Sequence, residues 1–273
     1  EGEVADLEAE LTDGRSGPIG IGHTRWSTHG PPSDSNAHPH TDCSGRVAVV
    51  HNGIIENYDS LKRSLLKAGH EFESETDTEV IPHLVESGLE SGLDAEAAFR
   101  EAVGQLEGSY AVAMIVAGDP MVYATRNGSP LVVGLGETAN YLASDVPAFR
   151  DFTDRVVYLA DGEFARLDDA GWTVTDVTGE VVDKDVETVD WDPEETGKSG
   201  YDHFMLKEIH EQPRALRQCL RGRVDELAGT VDIGDLGDLS PTGVQFVACG
   251  TSYHAALHGA QLFREAGIPA PAF

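Results

Sequence analysis

The sequence predicts an α+β domain of stacked helical and sheet layers, followed by the opening of an α/β domain. Three observations carry this reading. Apolar residues recur at helical spacing at Tyr58, Leu61, Leu65 and Leu66, at Val80, Ile81, Leu84 and Val85, and again over residues 94–106. From Ser109 to about Val177 the pattern changes to short alternating runs separated by turn residues at hairpin spacing. Residues 244–248, Cys249-Gly250-Thr251-Ser252 and residues 253–266 then read as strand, small-residue turn and helix.

In chain order, residues 1–15 are polar and acidic, a loop or a fraying helix. Ile19-Gly20-Ile21-Gly22-His23 reads as a buried strand with glycines for close packing, and residues 31–42 as a loop rich in Pro, Ser, Asn and Asp. Val47-Ala48-Val49-Val50 reads as a buried strand. Asn52-Gly53 at its end is a turn signal, because both residue types tolerate positive φ, so a strand-to-helix corner is expected there. The next helix runs to Gly69, a stop residue. Thr76 and Glu79 have the spacing of a capping box for the second helix, with Pro82 close to its start. Seven strands follow the third helix, at about 110–116, 121–125, 131–134, 141–144, 156–159, 163–167 and 172–177. Two helices against many mostly antiparallel strands give the layered α+β class. Residues 178–200 lose apolar periodicity, as a linker does. A helix follows from Phe204 to about Leu220, with Phe204, Ile209, Leu216 and Leu220 as its apolar points. A polar, glycine-rich stretch leads to the strand at 244, and a further strand is expected to begin after Pro269. The expected division is 1–190 for the first domain, 191–202 for the linker and 203–273 for the start of the second.

Lys and Arg total 19 against 48 Asp and Glu, a formal charge of −29 on 273 residues. Nucleic acid and anionic membrane would be repelled by such a surface and are not expected as partners. With 40% hydrophobic residues the chain still has a core, so the acidity reads as adaptation to high salt, where counter-ions screen self-repulsion. Cys43, Cys219 and Cys249 are odd in number and widely spaced, which fits neither a disulfide framework nor a zinc-ligand pattern and points to a reducing cytoplasm. There is no run of transmembrane length.

His23-Thr24-Arg25-Trp26-Ser27-Thr28-His29-Gly30, Asn36-Ala37-His38-Pro39-His40, His51-Asn52-Gly53-Ile54-Ile55-Glu56-Asn57 and Ser74-Glu75-Thr76-Asp77-Thr78-Glu79 together resemble the glutaminase half of the glutamine–fructose-6-phosphate aminotransferases. Glu208-Ile209-His210-Glu211-Gln212-Pro213 and Ala248-Cys249-Gly250-Thr251-Ser252 resemble the start of that family's sugar isomerase half. Each motif alone is weak to moderate; six in the right order make a strong match. The resemblance implies a four-layer αββα N-terminal-nucleophile fold. Its reaction converts D-fructose 6-phosphate and L-glutamine to D-glucosamine 6-phosphate and L-glutamate, in a homodimer, with no organic cofactor and no metal. The nucleophilic cysteine implied by the family is none of the three present, and it is expected upstream of Glu1.

By resemblance, Arg25 holds the glutamine α-carboxylate, for which its planar fork is suited, and Asp77 holds the α-ammonium; a helix-end cap is the alternative for Asp77. The Asn52 side chain and the Gly53 N–H form the oxyanion hole. Trp26, Thr28 and His29 line the glutamine pocket, although a buried, hydrogen-bonded role weighs evenly for His29. Cys249, Gly250, Thr251 and Ser252 meet the sugar phosphate at a helix start. His23, His29, His38, His40 and His51 imitate a metal site without its ligand spacing. Two alternatives stay open: an amidotransferase with another ammonia acceptor, and a non-catalytic protein that senses sugar phosphates.

Overall fold

The computed structural model describes residues 17–25, 29–168, 171–190, 198, 200–220, 223–225, 230–231 and 241–273. The chain divides into two compact units, Glu1–Gly197 and Lys198–Phe273.

The first unit is built on two antiparallel sheets. The larger takes the order β1 (His40–Thr41), β2 (Val47–Ile55), β3 (Gly108–Val116), β4 (Val122–Asn127), β8 (Phe164–Leu167) and β9 (Trp172–Thr175). The smaller takes the order β10 (Glu187–Thr188), β7 (Arg155–Tyr158), β5 (Val132–Leu135) and β6 (Asn140–Ala143). Side chains alternate across a strand, and the two faces of the larger sheet separate cleanly. Val47, Val49 and Ile55 of β2, with Val112 and Met114 of β3, pack in one cluster with helices α1 (Tyr58–Ala68), α2 (Val80–Glu90) and α3 (Ala95–Val103), whose Leu65, Ile81, Val85 and Phe99 are buried there. The opposite set, Val50, Ala111, Ala113 and Ala124, meets Val133, Leu135 and Val157 of the smaller sheet. Alanine at these inward positions keeps the seam between the sheets thin. Behind the smaller sheet, Val132 and Val156 pack with Val146 and Phe149 at a one-turn 3-10 helix, Val146–Ala148. The order is therefore helices, sheet, sheet. Among the described residues, that single turn is the helical part of the outermost layer.

Strands β3 to β9 lie within two residues of their expected bounds, because hairpin strands with one buried face carry their period in the sequence. Gly69 closes α1 in the left-handed conformation (φ 103°), its N–H reaching the carbonyls of Leu65 and Leu66. Pro82 falls in the first turn of α2, where its missing N–H costs nothing. In the first unit three expectations fail. Residues 19–23 form no strand; Ile19, Ile21 and His23 are only half-buried, and no described strand pairs with them. The capping box does not form. Helix α2 begins at Val80, and the Glu79 carboxylate instead accepts from the main-chain N–H groups of Glu73 and Ser74 at 2.7 and 2.8 Å. Thr76 Oγ1 goes to His40 Nε2 at 3.0 Å.

The third correction concerns Asn52-Gly53, which is no corner. Strand β2 continues through both residues to Ile55, with Asn52 opposite Ala111, Gly53 opposite Tyr110 and Ile55 opposite Gly108. Gly53 has φ 130°, and a Cβ there would collide with the Ser109 carbonyl oxygen. The glycine serves a close approach of two strands, and the corner comes later, at Glu56-Asn57.

In the second unit, α4 (Phe204–Leu220) is an amphipathic helix whose Phe204, Ile209, Leu216 and Leu220 are exposed by half or more of their surface. The expected buried strand at 244–248 alternates between half-buried and exposed, with Val247 82% exposed. It runs parallel to 269–273, bonded from Phe246 N to Pro271 O and from Ala248 N to Phe273 O at 3.0 and 3.1 Å, with α5 (Gly250–Glu265) as the crossover between them. Short strands β11 (Val224–Asp225) and β12 (Thr230–Val231) pair within the polar stretch, which carried no strand expectation. No described helix is long and apolar enough to cross a membrane.

Candidate functional site

Strand β2 carries His51 on its helix-facing side and Asn52 on the other; the loop 74–79 that precedes α2 comes alongside. Between them and the side of His23, Arg25 and His29 lies a cavity of about 280 Å³, lined by those three with His38, His51, Asn52, Gly53, Ile54, Thr76, Asp77 and Thr78. That is close to the lower end of small-molecule sites, roughly 300 Å³. Its charged groups are one cation, Arg25, and one buried anion, Asp77.

Asp77 Oδ2 accepts from the Ile55 main-chain N–H at 2.7 Å, and Oδ1 stands 3.6 Å from His29 Nδ1. The carboxylate therefore ties the loop to β2 and does not cap α2, which disposes of the helix-end alternative. The Arg25 guanidinium donates to the carbonyls of His29, Gly30 and Pro31 at 2.6, 3.1 and 3.2 Å, which anchors its fork at the cavity wall. Arg25 itself has φ 43°, a left-handed conformation that costs a non-glycine residue of order 1 kcal/mol and collects at binding sites.

The back wall is imidazole. His23 and His38 lie 4.4 Å apart by ring centroid, and His38 and His40 lie 4.9 Å apart. The His51 N–H donates to His38 Nδ1 at 3.5 Å, so His38 carries its proton on Nε2, which reaches Thr78 Oγ1 at 3.2 Å. The Thr78 hydroxyl then donates to His51 Nδ1 at 2.8 Å, which leaves the His51 proton on Nε2, a buried atom with no hydrogen-bond partner among the described residues. Burial first, then the neighbouring imidazoles and Arg25, push His38 down to about 2. Burial likewise pushes His51 down to about 4 against the pull of Asp77, and lowers His23 and His40. The wall is therefore neutral near pH 7. These imidazoles hold one another and the threonines in place; they do not converge as a ligand set. Glu79, beneath the loop, stays ionised down to about 2: burial opposes its charge, but His83, Ser74 and the N–H groups of Glu73 and Ser74 outweigh it.

A glutamine amidotransferase domain model matches residues 23–151, which contain every residue lining the cavity. A glutamine–fructose-6-phosphate aminotransferase of Methanothermobacter thermautotrophicus is 51% identical over 269 residues, 98% of this chain and 44% of the relative. One from Halobacterium salinarum is 50% identical over 273 residues, 98% of this chain and 45% of the relative. Over nearly its whole length the chain is similar to glutamine–fructose-6-phosphate aminotransferases. It spans less than half the length of these curated relatives. Among solved structures, glutamine phosphoribosylpyrophosphate amidotransferase from B. subtilis, complexed with ADP and GMP, superposes with TM-score 0.52 at 21% identity, over 91% of this chain and 50% of that one. At that identity the likeness speaks for the fold alone.

Of the residues that the family's motifs singled out, Arg25, His29, Asn52, Gly53 and Asp77 all line the one cavity. Trp26 and Thr28 lie outside the described residues. Cys249 precedes α5 as its N-terminal flank, and Gly250, Thr251 and Ser252 form its exposed first turn, in the second unit. None of Cys43, Cys219 and Cys249, all exposed and unpaired, lines the cavity. Sequence reasoning missed the parts played by Thr76 and Thr78. Their alternation around Asp77 was a usable signal: two hydroxyls flanking a carboxylate opposite a histidine-rich loop can satisfy buried ring nitrogens. The sequence also held no hint that Cys43, His70, His83 and Glu86 meet.

Proposed function

We propose that the Glu1–Gly197 unit is a glutaminase that binds free L-glutamine in the cavity. The observation that carries this is the meeting, in one small cavity, of Arg25, Asp77, Asn52 and Gly53 from three separate stretches of sequence. Arg25 takes the α-carboxylate, Asp77 the α-ammonium, and the Asn52 amide with the Gly53 N–H receives the negative oxygen that forms at the attacked side-chain carbonyl. His29 lines the pocket, and by the family's motif Trp26 and Thr28 are glutamine-binding residues as well. The attacking thiol is none of the chain's three cysteines. Its attack on the side-chain amide carbonyl expels ammonia and leaves a glutamyl thioester, which water hydrolyses to L-glutamate and the free thiol. In the whole protein the ammonia aminates D-fructose 6-phosphate to D-glucosamine 6-phosphate. Cys249, Gly250, Thr251 and Ser252 contact the sugar phosphate, and the family's isomerase half supplies a homodimer.

Calorimetric titration of the chain with L-glutamine, D-glutamine and N-acetyl-L-glutamine tests the pocket. Saturable binding of L-glutamine alone is the expected result, and equal binding of the N-acetylated form overturns the ammonium assignment. In the full gene product, glutamate release that rises with fructose 6-phosphate and yields glucosamine 6-phosphate is expected. Glutaminase activity indifferent to that sugar means another acceptor, and none at all means a sensing protein.

A further inference from the structure

Away from the cavity, Cys43 in the β1–β2 turn, His70 just past the end of α1, and His83 and Glu86 one turn apart on α2 bring four ligand atoms within 4.8 Å of one another. Cys43 Sγ lies 3.8 Å from His70 Nδ1 and 3.6 Å from His83 Nδ1, and Glu86 Oε2 lies 3.3 Å from His83 Nδ1 and 2.8 Å from His70 Nδ1. Zinc–sulfur and zinc–nitrogen bonds of about 2.3 and 2.0 Å, set at tetrahedral angles, give ligand-to-ligand edges of roughly 3.3–3.6 Å. Three of the four distances lie at or near those edges.

The protons argue in the same direction. The Ser87 hydroxyl donates to the His83 carbonyl at 3.1 Å, so at its 2.9 Å contact with His70 Nε2 it is the acceptor. A neutral His70 then carries its proton on Nε2 and turns the Nδ1 lone pair inward. His83 Nε2 faces the Glu79 carboxylate at 3.8 Å, which favours the proton on that nitrogen too. Two imidazole nitrogens, the thiol and the Glu86 carboxylate then converge, with the Cys43 main-chain N–H also donating to Glu86 Oε2 and the Glu71 N–H to Cys43 Sγ, both at 3.4 Å. The outer nitrogen of His70 is held by an acceptor, as in metal-bound histidines, while that of His83 is buried without a hydrogen-bond partner among the described residues. The side chains of His70, His83 and Glu86 are 8%, 1% and 10% exposed, while Cys43 is exposed and leaves a way in.

We propose that Cys43, His70, His83 and Glu86 form a tetrahedral divalent-metal site that takes Zn²⁺. One thiolate, two imidazoles and one carboxylate neutralise the ion and suit zinc over the harder cations. This departs from the expectation of a metal-free protein. With all four positions filled by protein the site is structural: it fastens the Cys43 turn and the exit of α1 to α2. Through Glu79 it backs the loop that carries Thr76, Asp77 and Thr78 into the cavity.

The test is titration of the chelator-treated chain with Co²⁺ and then Zn²⁺. Expected are one equivalent bound, the intense visible bands of tetrahedral cobalt, a thiolate-to-cobalt charge-transfer band displaced by Zn²⁺, and a Tm that rises with Zn²⁺. Cys43→Ser abolishes the charge-transfer band and Glu86→Gln weakens Zn²⁺ binding at least tenfold, while the double variant Cys219→Ser, Cys249→Ser keeps the band. Cys43 is exposed, so its serine variant tests the site without disturbing the core. No stoichiometric binding, a weak octahedral spectrum, or a charge-transfer band that survives Cys43→Ser overturns the proposal. The cluster is then a hydrogen-bonded network only.

Discussion

Replacing Asp77 with asparagine separates ligand binding from architecture at a single atom. The Ile55 N–H is held by Asp77 Oδ2 at 2.7 Å, and an asparagine carbonyl can accept the same bond. What is lost structurally is the charge assistance of that bond, about 1 kcal/mol, or a Tm lower by roughly 2–4 °C. What is lost to glutamine is the anion that meets its α-ammonium. A pair of unit charges about 4 Å apart is worth about 4 kcal/mol at the effective dielectric of a partly enclosed site. Removing one partner of such a pair costs on the order of 2–5 kcal/mol. The glutamine Kd of Asp77→Asn is therefore expected to rise roughly 30-fold or more, since 1.4 kcal/mol is about tenfold. Calorimetric titration at neutral pH, with melting curves in parallel, reads both numbers. A Kd within about twofold of the parent with an intact fold refutes the ligand role, and Asp77 is then only the acceptor that fastens the loop to β2.

Gly53→Ala, at φ 130° with its Cβ driven into the Ser109 carbonyl, destabilises the unit by at least about 3 kcal/mol in urea titration; a midpoint unchanged from the parent contradicts the close approach of β2 and β3. His51, held neutral down to about 4, binds its proton more weakly folded than unfolded, so stability is full above the unfolded value of 6.5 and is lost as pH falls from there toward 4. That one group accounts for about 3 kcal/mol across the window, and His51→Asn is expected to flatten the acid limb of the stability profile. With −29 charges on 273 residues, Tm rises as KCl goes from dilute to molar, because the screening length shrinks from about 10 Å at 0.1 M to about 3 Å at 1 M; a flat or falling Tm contradicts the high-salt reading.

The sequence by itself determined the layers and most of the cavity's membership. An antiparallel strand with one buried face writes its period into four to nine residues, which is why β3 to β9 were legible, and Gly69 marked the end of α1 by the one conformation that glycine adopts freely. Arg25, Asp77, Asn52 and Gly53 were legible as motif residues, not through any local physics. Their meeting was decided by the register of β2 on β3, which carries Asn52-Gly53 through the sheet instead of around a corner. Tertiary structure alone decided the rest, for a common physical reason: a buried polar group takes whichever partner is nearest in space, and that partner is distant in sequence. Thr76 and Glu79 have capping-box spacing, yet Thr76 goes to His40 and Glu79 to the main chain of residues 73 and 74. Thr78 joins His38 to His51 across 40 and 27 positions. Cys43 reaches His70 and His83 only because the β1–β2 turn folds down onto α2. Spacing along the chain reports what one helix or strand can bring together, and these groups sit on three different elements.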